Sequence, residues 1–173
     1  MSKAFTREDD ASGSIITPRL ADPLPQGARN YLTPDGARRL RAQLDSLINV
    51  ERPRAAATSD PNLAREQLAS VDQRIHRLEQ SLQSALVVEP PIDEIDHVRF
   101  GATVRVRESS GEERNYRIVG IDETDIDRGW VSWVSPIARA LLNARPGQRV
   151  RLKLPSGEEE LEVLSISYQE VTT

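Results

Sequence analysis

Thr58-Ser59-Asp60-Pro61-Asn62 separates two segments that share one kind of spacing. Before it, Leu40, Leu44 and Leu47 step by four and three; after it, Leu68, Val71, Ile75, Leu78, Leu82 and Ala85 step by three and four. That spacing is the apolar seam of a coiled coil. A connection this short folds the second arm back on the first, so the expectation is an antiparallel helical hairpin with its tip near 58–62. Each arm of roughly 22 to 26 residues would make a rod about 35 Å long.

The ends of the arms carry their own signals. Thr33-Pro34-Asp35 opens the first helix: a threonine cap, a proline suited to the first turn, and an acid at the positive end of the dipole. Pro53 lies inside the first arm and should kink or interrupt it, because it removes a backbone hydrogen bond. Asp60-Pro61 opens the second arm, which runs to about Ala85 before Glu89-Pro90-Pro91 stops it.

On either side of the hairpin the pattern changes. Residues 1–29 hold Glu8-Asp9-Asp10, Ser12-Gly13-Ser14 and a proline-rich stretch from Pro18 to Pro25 with no period, the composition of a disordered tail. Residues 89–96 form an acidic linker stiffened by Pro90 and Pro91. From about His97 the period becomes two: Val104, Val106, Tyr116, Ile118, Val131 and Trp133 alternate. So do Val150, Leu152 and Leu154, then Leu161 and Val163, and after a change of phase Leu164, Ile166 and Tyr168. Ser109-Ser110-Gly111 and Pro155-Ser156-Gly157 read as hairpin turns. One short helix, Pro136 to Asn143, is capped by Ser135. The expected fold class is α+β: the hairpin at 30–88, the linker at 89–96, and at 97–173 a largely antiparallel sheet with one short helix.

Composition narrows the function. The 173 residues are 38% hydrophobic, 29% charged and 4% aromatic, with a net charge of -4. The hairpin is near neutral and the rest slightly acidic, so no broad basic face exists to neutralise phosphates. The chain has no cysteine, which excludes disulfides, zinc–thiolate sites and a thiol nucleophile. No apolar run reaches the length of a membrane span, and the N-terminus has no apolar signal core; the expected location is cytoplasmic. His76 and His97 have no partners at metal-ligand spacing and read as surface or structural residues.

Several blocks, in order, resemble the Gre family of bacterial transcription elongation factors, nearest to its GreB branch. They are Met1-Ser2-Lys3-Ala4-Phe5-Thr6-Arg7-Glu8, Asn30-Tyr31-Leu32-Thr33-Pro34-Asp35-Gly36, Glu51-Arg52-Pro53, Asp72-Gln73-Arg74-Ile75 and Phe100-Gly101-Ala102. The most specific are Tyr116-Arg117-Ile118-Val119-Gly120 with Asp122-Glu123, and Ser135-Pro136-Ile137-Ala138-Arg139-Ala140-Leu141-Leu142. The resemblance implies an FKBP-like C-terminal domain that grips the rim of the RNA polymerase secondary channel while the coil enters it. It implies polymerase contact by Ser135, Pro136, Ile137 and Arg139, with DNA and RNA met only through the polymerase complex. In active relatives, tip carboxylates help hold Mg²⁺ in the polymerase's own active site, and the polymerase cuts backtracked RNA.

Two features depart from that pattern. Active relatives carry an aspartate and, three residues on, a glutamate at the tip; aligned on Asp60, that second position is Leu63. Asp60 is the sole candidate tip carboxylate, and an aspartate before a proline at a helix start serves as an N-cap. Glu66 lies almost two turns into the second arm. Between Glu51-Arg52-Pro53 and Asp72-Gln73-Arg74-Ile75 the chain is also shorter than the GreB pattern by about one heptad per arm, or about 10 Å of reach. Val134 stands where relatives often carry an acid.

The expectation is therefore an accessory factor, not an enzyme, that occupies the secondary channel as a competitor or modulator without stimulating transcript cleavage. It needs no cofactor of its own and is a monomer, since one chain already buries the seam. The alternative is an active GreB-type cleavage factor using Asp60, perhaps with Glu66, and the polymerase's Mg²⁺. A prolyl isomerase is the third reading, since the FKBP-like fold also hosts that activity. It is disfavoured by the low aromatic content. Trp130 or Trp133 beside the Ser135-Pro136 turn is a candidate interface anchor, with core packing the competing role.

Overall fold

A computed structural model describes residues 27–92, 95–154 and 157–168. The tail expected at 1–29 lies outside the described residues up to 26, as do Asp93-Glu94 of the linker and Pro155-Ser156 of the second turn.

The first arm begins as read. Helix α1 (Pro34–Ser46) is capped by Thr33, whose side-chain oxygen accepts the Gly36 N–H at 3.0 Å, with Asp35 in the first turn. Pro53 does interrupt the arm, and the chain answers with a π turn at Leu47–Glu51. Lacking an N–H, Pro53 leaves the carbonyl of Asn49 without its usual partner. The Arg52 N–H reaches back five residues to the Leu47 carbonyl, and helix α2 (Arg52–Ala56) carries the arm to the tip. Within the π turn Leu47 is buried, while Ile48 and Val50 are 40% and 41% exposed.

Helix α3 (Pro61–Ser84) returns antiparallel. Leu47, Ala55 and Val71 are buried at the outer end of the seam, with Leu68 and Ile75 packed on them. Leu32, Ala37 and Leu40 are buried at the inner end against Leu82 and Ala85, and Leu78 joins the two clusters. Exposed ion pairs span the arms, Arg52 Nε to Asp72 at 2.7 Å and Arg74 to Glu51 at 2.7 Å. Two of the motif blocks quoted above thus meet each other across the hairpin.

The base of the hairpin differs from the sequence reading. Helix α3 stops at Ser84, and Ala85–Val87 forms strand β2, parallel to strand β1 (Asn30–Leu32) with Asn30 opposite Ala85. For parallel pairing the chain must double back at Thr33, so β1 runs away from the tip and α1 toward it. Asn30 holds this corner by donating its side-chain amide to the Ser81 carbonyl at 3.0 Å.

The C-terminal part is a five-stranded sheet in the order β5-β4-β3-β7-β6. Its strands are β3 (Thr103–Glu108), β4 (Glu113–Val119), β5 (Trp130–Ser132), β6 (Arg149–Leu154) and β7 (Gly157–Ser167). All neighbours are antiparallel except β4 and β5. The predicted change of phase is a β-bulge: Arg105 pairs with Ser165 and Val106 with Val163, leaving Leu164 unpaired. Helix α4 (Pro136–Leu141) lays Ile137, Ala138 and Leu141 on the core of Val104, Val106, Ile118, Leu161 and Val163. It ends two residues before the expected Asn143, which takes a left-handed φ of 66° instead.

Candidate functional site

The tip, the turn before α4 and the junction between hairpin and sheet are the three places where the fold gathers polar chemistry. At the tip, the Asp60 carboxylate accepts the backbone N–H of Asn62 at 2.8 Å and of Leu63 at 3.3 Å. It is the N-cap of α3. Leu63 is 44% exposed and brings no oxygen to the surface. Glu66 stands one turn further on, on the wall of an open notch of about 510 Å³ between the arms, with Arg54 and Leu63 beside it and Val71 at its floor. Among the described residues, no cluster of three or more His, Asp or Glu side chains is placed to hold a metal ion.

Of the residues expected to contact a partner, Pro136 and Arg139 are exposed, whereas Ile137 is buried in the core. Ser135 is partly buried, its hydroxyl oxygen accepting the Ala138 N–H at 3.2 Å. Neither tryptophan is freely exposed. Trp133 lies one residue past the end of β5, so strand alternation does not govern it. It packs edge-on against Tyr31 of the hairpin base, with ring centroids 5.2 Å apart, and the Phe100 ring lies tilted to Tyr31 at 5.7 Å. Trp130 is ringed by the guanidinium groups of Arg39, Arg117 and Arg128 at 4.4, 4.9 and 5.2 Å from its centroid. The histidines bond locally: His76 meets Gln80, and His97 sits between Asp96 at 2.5 Å and Arg99 at 2.9 Å. The hydrogen bond from His97 holds the Asp96 carboxyl below its usual range.

The junction is where the sequence reading falls short. Arg117, in the middle of β4, is 5% exposed, and burial pushes its guanidinium below the ordinary value while Asp35 and Glu123 pull it back up. Its Nη1 lies 3.9 Å from Asp35, and its guanidinium carbon lies 4.9 Å from the centroid of the Trp130 ring. Glu123 ends a 3₁₀ turn, Ile121–Glu123, and its side chain is 1% exposed. One carboxylate oxygen accepts the N–H groups of Thr33 at 2.9 Å and Gly120 at 3.0 Å. The other accepts the Thr33 hydroxyl at 2.5 Å and faces Arg39 at 3.5 Å. Asp122 accepts a hydrogen bond from Ser81 on the second arm. The available signal for these residues was an arginine set between Tyr116 and the apolar pair Ile118-Val119, and an acid pair, Asp122-Glu123, one residue beyond Gly120.

Comparison with known proteins bears on these placements. The family model described as "Transcription elongation factor, GreA/GreB, C-term" matches residues 92–168. A transcription elongation factor GreB of Neisseria meningitidis is 40% identical over 154 residues, covering 81% of this chain and 94% of the relative. A transcription elongation factor GreA of Alkalilimnicola ehrlichii is 43% identical over 152 residues, covering 79% of this chain and 96% of the relative. The crystal structure of GreA factor homolog 1 (Gfh1) of Thermus thermophilus is 26% identical, covering 81% of this chain and 99% of that one, with a TM-score of 0.37. Among the described residues, no helix is long and apolar enough to cross a membrane. With whole-length relatives at this identity, the chain belongs to the GreA/GreB family of transcription elongation factors.

Proposed function

We propose that this family member binds RNA polymerase at the secondary channel and regulates elongation by occupancy, without stimulating transcript cleavage. The observation that carries the reading is the state of the tip. Asp60 Oδ1 is engaged as a cap by two backbone N–H groups, and three residues on the tip offers the apolar Leu63 in place of a second carboxylate. Mg²⁺ requires hard oxygen ligands in a near-octahedral set. The tip residues do not fit a magnesium ion, so no step of metal chemistry is assigned to them.

The length of the rod supports the same reading. The second arm has 24 residues, or about 36 Å at the helical rise. Against the GreB pattern it is short by about one heptad, so a tip docked in the family manner stops about 10 Å from where that pattern would place it. Phosphoryl chemistry tolerates far less: about 1 Å of misplacement costs on the order of a hundredfold.

In this reading, residues 30–88 form the channel-entering hairpin, 89–96 the linker, and 97–173 an FKBP-like docking domain. Contact with the channel rim falls to exposed Pro136 and Arg139, while Ser135 and buried Ile137 hold α4 in place for them. The protein works as a monomeric accessory factor of GreB-like descent with a degenerate tip, meeting DNA and RNA only through the polymerase. An active cleavage factor is the rival reading, favoured by the 40% identity to a named GreB.

Stalled, backtracked elongation complexes distinguish the two. At stoichiometric factor the RNA stays uncut, and added factor suppresses cleavage driven by an active Gre protein in a dose-dependent way. Relief of that competition by a Pro136→Ala, Arg139→Ala double variant, which leaves the Ser135 cap intact, locates the docking surface. Cleavage by this protein alone, abolished in Asp60→Ala, overturns the proposal.

A further inference from the structure

We propose that Glu123 is the positioning residue that sets the angle of the hairpin on the sheet, and so decides where the tip points. This rests on the channel-occupancy reading only for its effect on polymerase; the geometry stands without it. Glu123 belongs to the sheet part, following β4, yet three of the four donors around its carboxylate come from the hairpin base: the Thr33 N–H, the Thr33 hydroxyl and Arg39. The fourth, Gly120 N–H, belongs to its own turn. A carboxylate this deeply buried is costly without its donors. The donors converge on two oxygens from different elements, so only a narrow range of hairpin orientations satisfies them. The apolar contacts nearby, such as Tyr31 on Trp133, give attraction but little direction.

The fit is close on both sides of the carboxylate. A Cβ added at Gly36 would lie 1.9 Å from a Glu123 oxygen. One added at Gly120 would lie 2.1 Å from the Tyr31 carbonyl oxygen and 2.9 Å from the other Glu123 oxygen. Both glycines therefore exist as clearance for this socket. Leverage makes the socket matter: a tilt of about 10° at the base moves the end of a rod about 35 Å long by about 6 Å.

The chain has no cysteine, so a label pair is easily introduced as Ser59→Cys at the tip and Ser110→Cys on the β3–β4 turn. Spin-label distance measurements on the free protein give one narrow distribution for the parent pair. Glu123→Ala broadens or shifts it, Gly36→Ala does the same with Glu123 intact, and Glu123→Gln, which keeps an acceptor for the two N–H groups, widens it less. Amide exchange of the sheet strands stays near the parent in the Gly36→Ala and Glu123→Gln variants. An unchanged distribution in both of these overturns the proposal, whatever the stability of Glu123→Ala. On polymerase, a hairpin that spends one-tenth of its time in the docked orientation competes roughly tenfold more weakly with an active Gre factor. Should the parent itself fail to compete, the channel reading falls while the distance result still decides the role of Glu123.

Discussion

Asp60 shows how a residue that looks functional in one dimension acquires a structural role in three. Its carboxylate accepts two N–H groups at the start of α3, which is the ordinary work of an N-cap. Asp60→Ala should therefore lower stability by about 1 kcal/mol, read by chemical denaturation, while Asp60→Asn stays close to the parent because asparagine caps equally well. Both variants should compete with an active Gre factor as the parent does. A metal ligand would behave in the opposite way, with the asparagine variant stable and defective. The cap was legible in the Asp-Pro pair, as were the Thr33 and Ser135 caps. Glu123 and Arg117 were not. A charged residue in a sequence carries no mark of what will close over it, and their partners Thr33 and Asp35 lie more than eighty residues away.

At the level of elements, periodicity was the reliable guide wherever it ran for several turns. The seam emerged at Leu40, Leu47, Leu68, Val71, Ile75, Leu78 and Leu82, with Leu44 left outside both clusters, and the slip of phase after Val163 emerged as read. Three-residue strands gave no such signal. β1 and β2 are too short to show alternation, and Ala85 continues the heptad spacing although its backbone is already extended. The parallel pairing of β4 with β5 likewise depends on a crossover through the 3₁₀ turn that local pattern does not encode. Pro53 was legible as a break but not as a π turn, in which the Arg52 N–H bonds the carbonyl of Leu47, a seam residue at 0% exposure. Leu47→Ala should cost about 3 kcal/mol. Because that loss is confined to the outer cluster, amide exchange should quicken in α2 and the first half of α3 while β3 and β7 remain protected.

For the molecule as a whole, the occupancy proposal names two deficits relative to a cleavage factor: reach and oxygen ligands. They are independent, so neither alone should restore activity. Inserting one heptad in each arm, between Glu51-Arg52 and the tip and between the tip and Asp72, keeps the seam in register. Adding Leu63→Glu supplies the second carboxylate. The doubly altered protein should cut RNA in backtracked complexes at a rate well above either single alteration, and each single alteration should match the parent. Equal cleavage by the Leu63→Glu protein at its native length would show that reach is not limiting.

The corner at Thr33 has a further consequence, during synthesis. Strand β1 leaves the ribosome early, but its partner Ala85–Val87 is translated only after the whole hairpin, and Glu123 later still. The two arms have all they need to zip together beforehand, since their contacts are local in the chain. The order of synthesis thus lets the outer seam close before its socket exists and, if Glu123 sets the angle as proposed, leaves the aim of the rod to be fixed last.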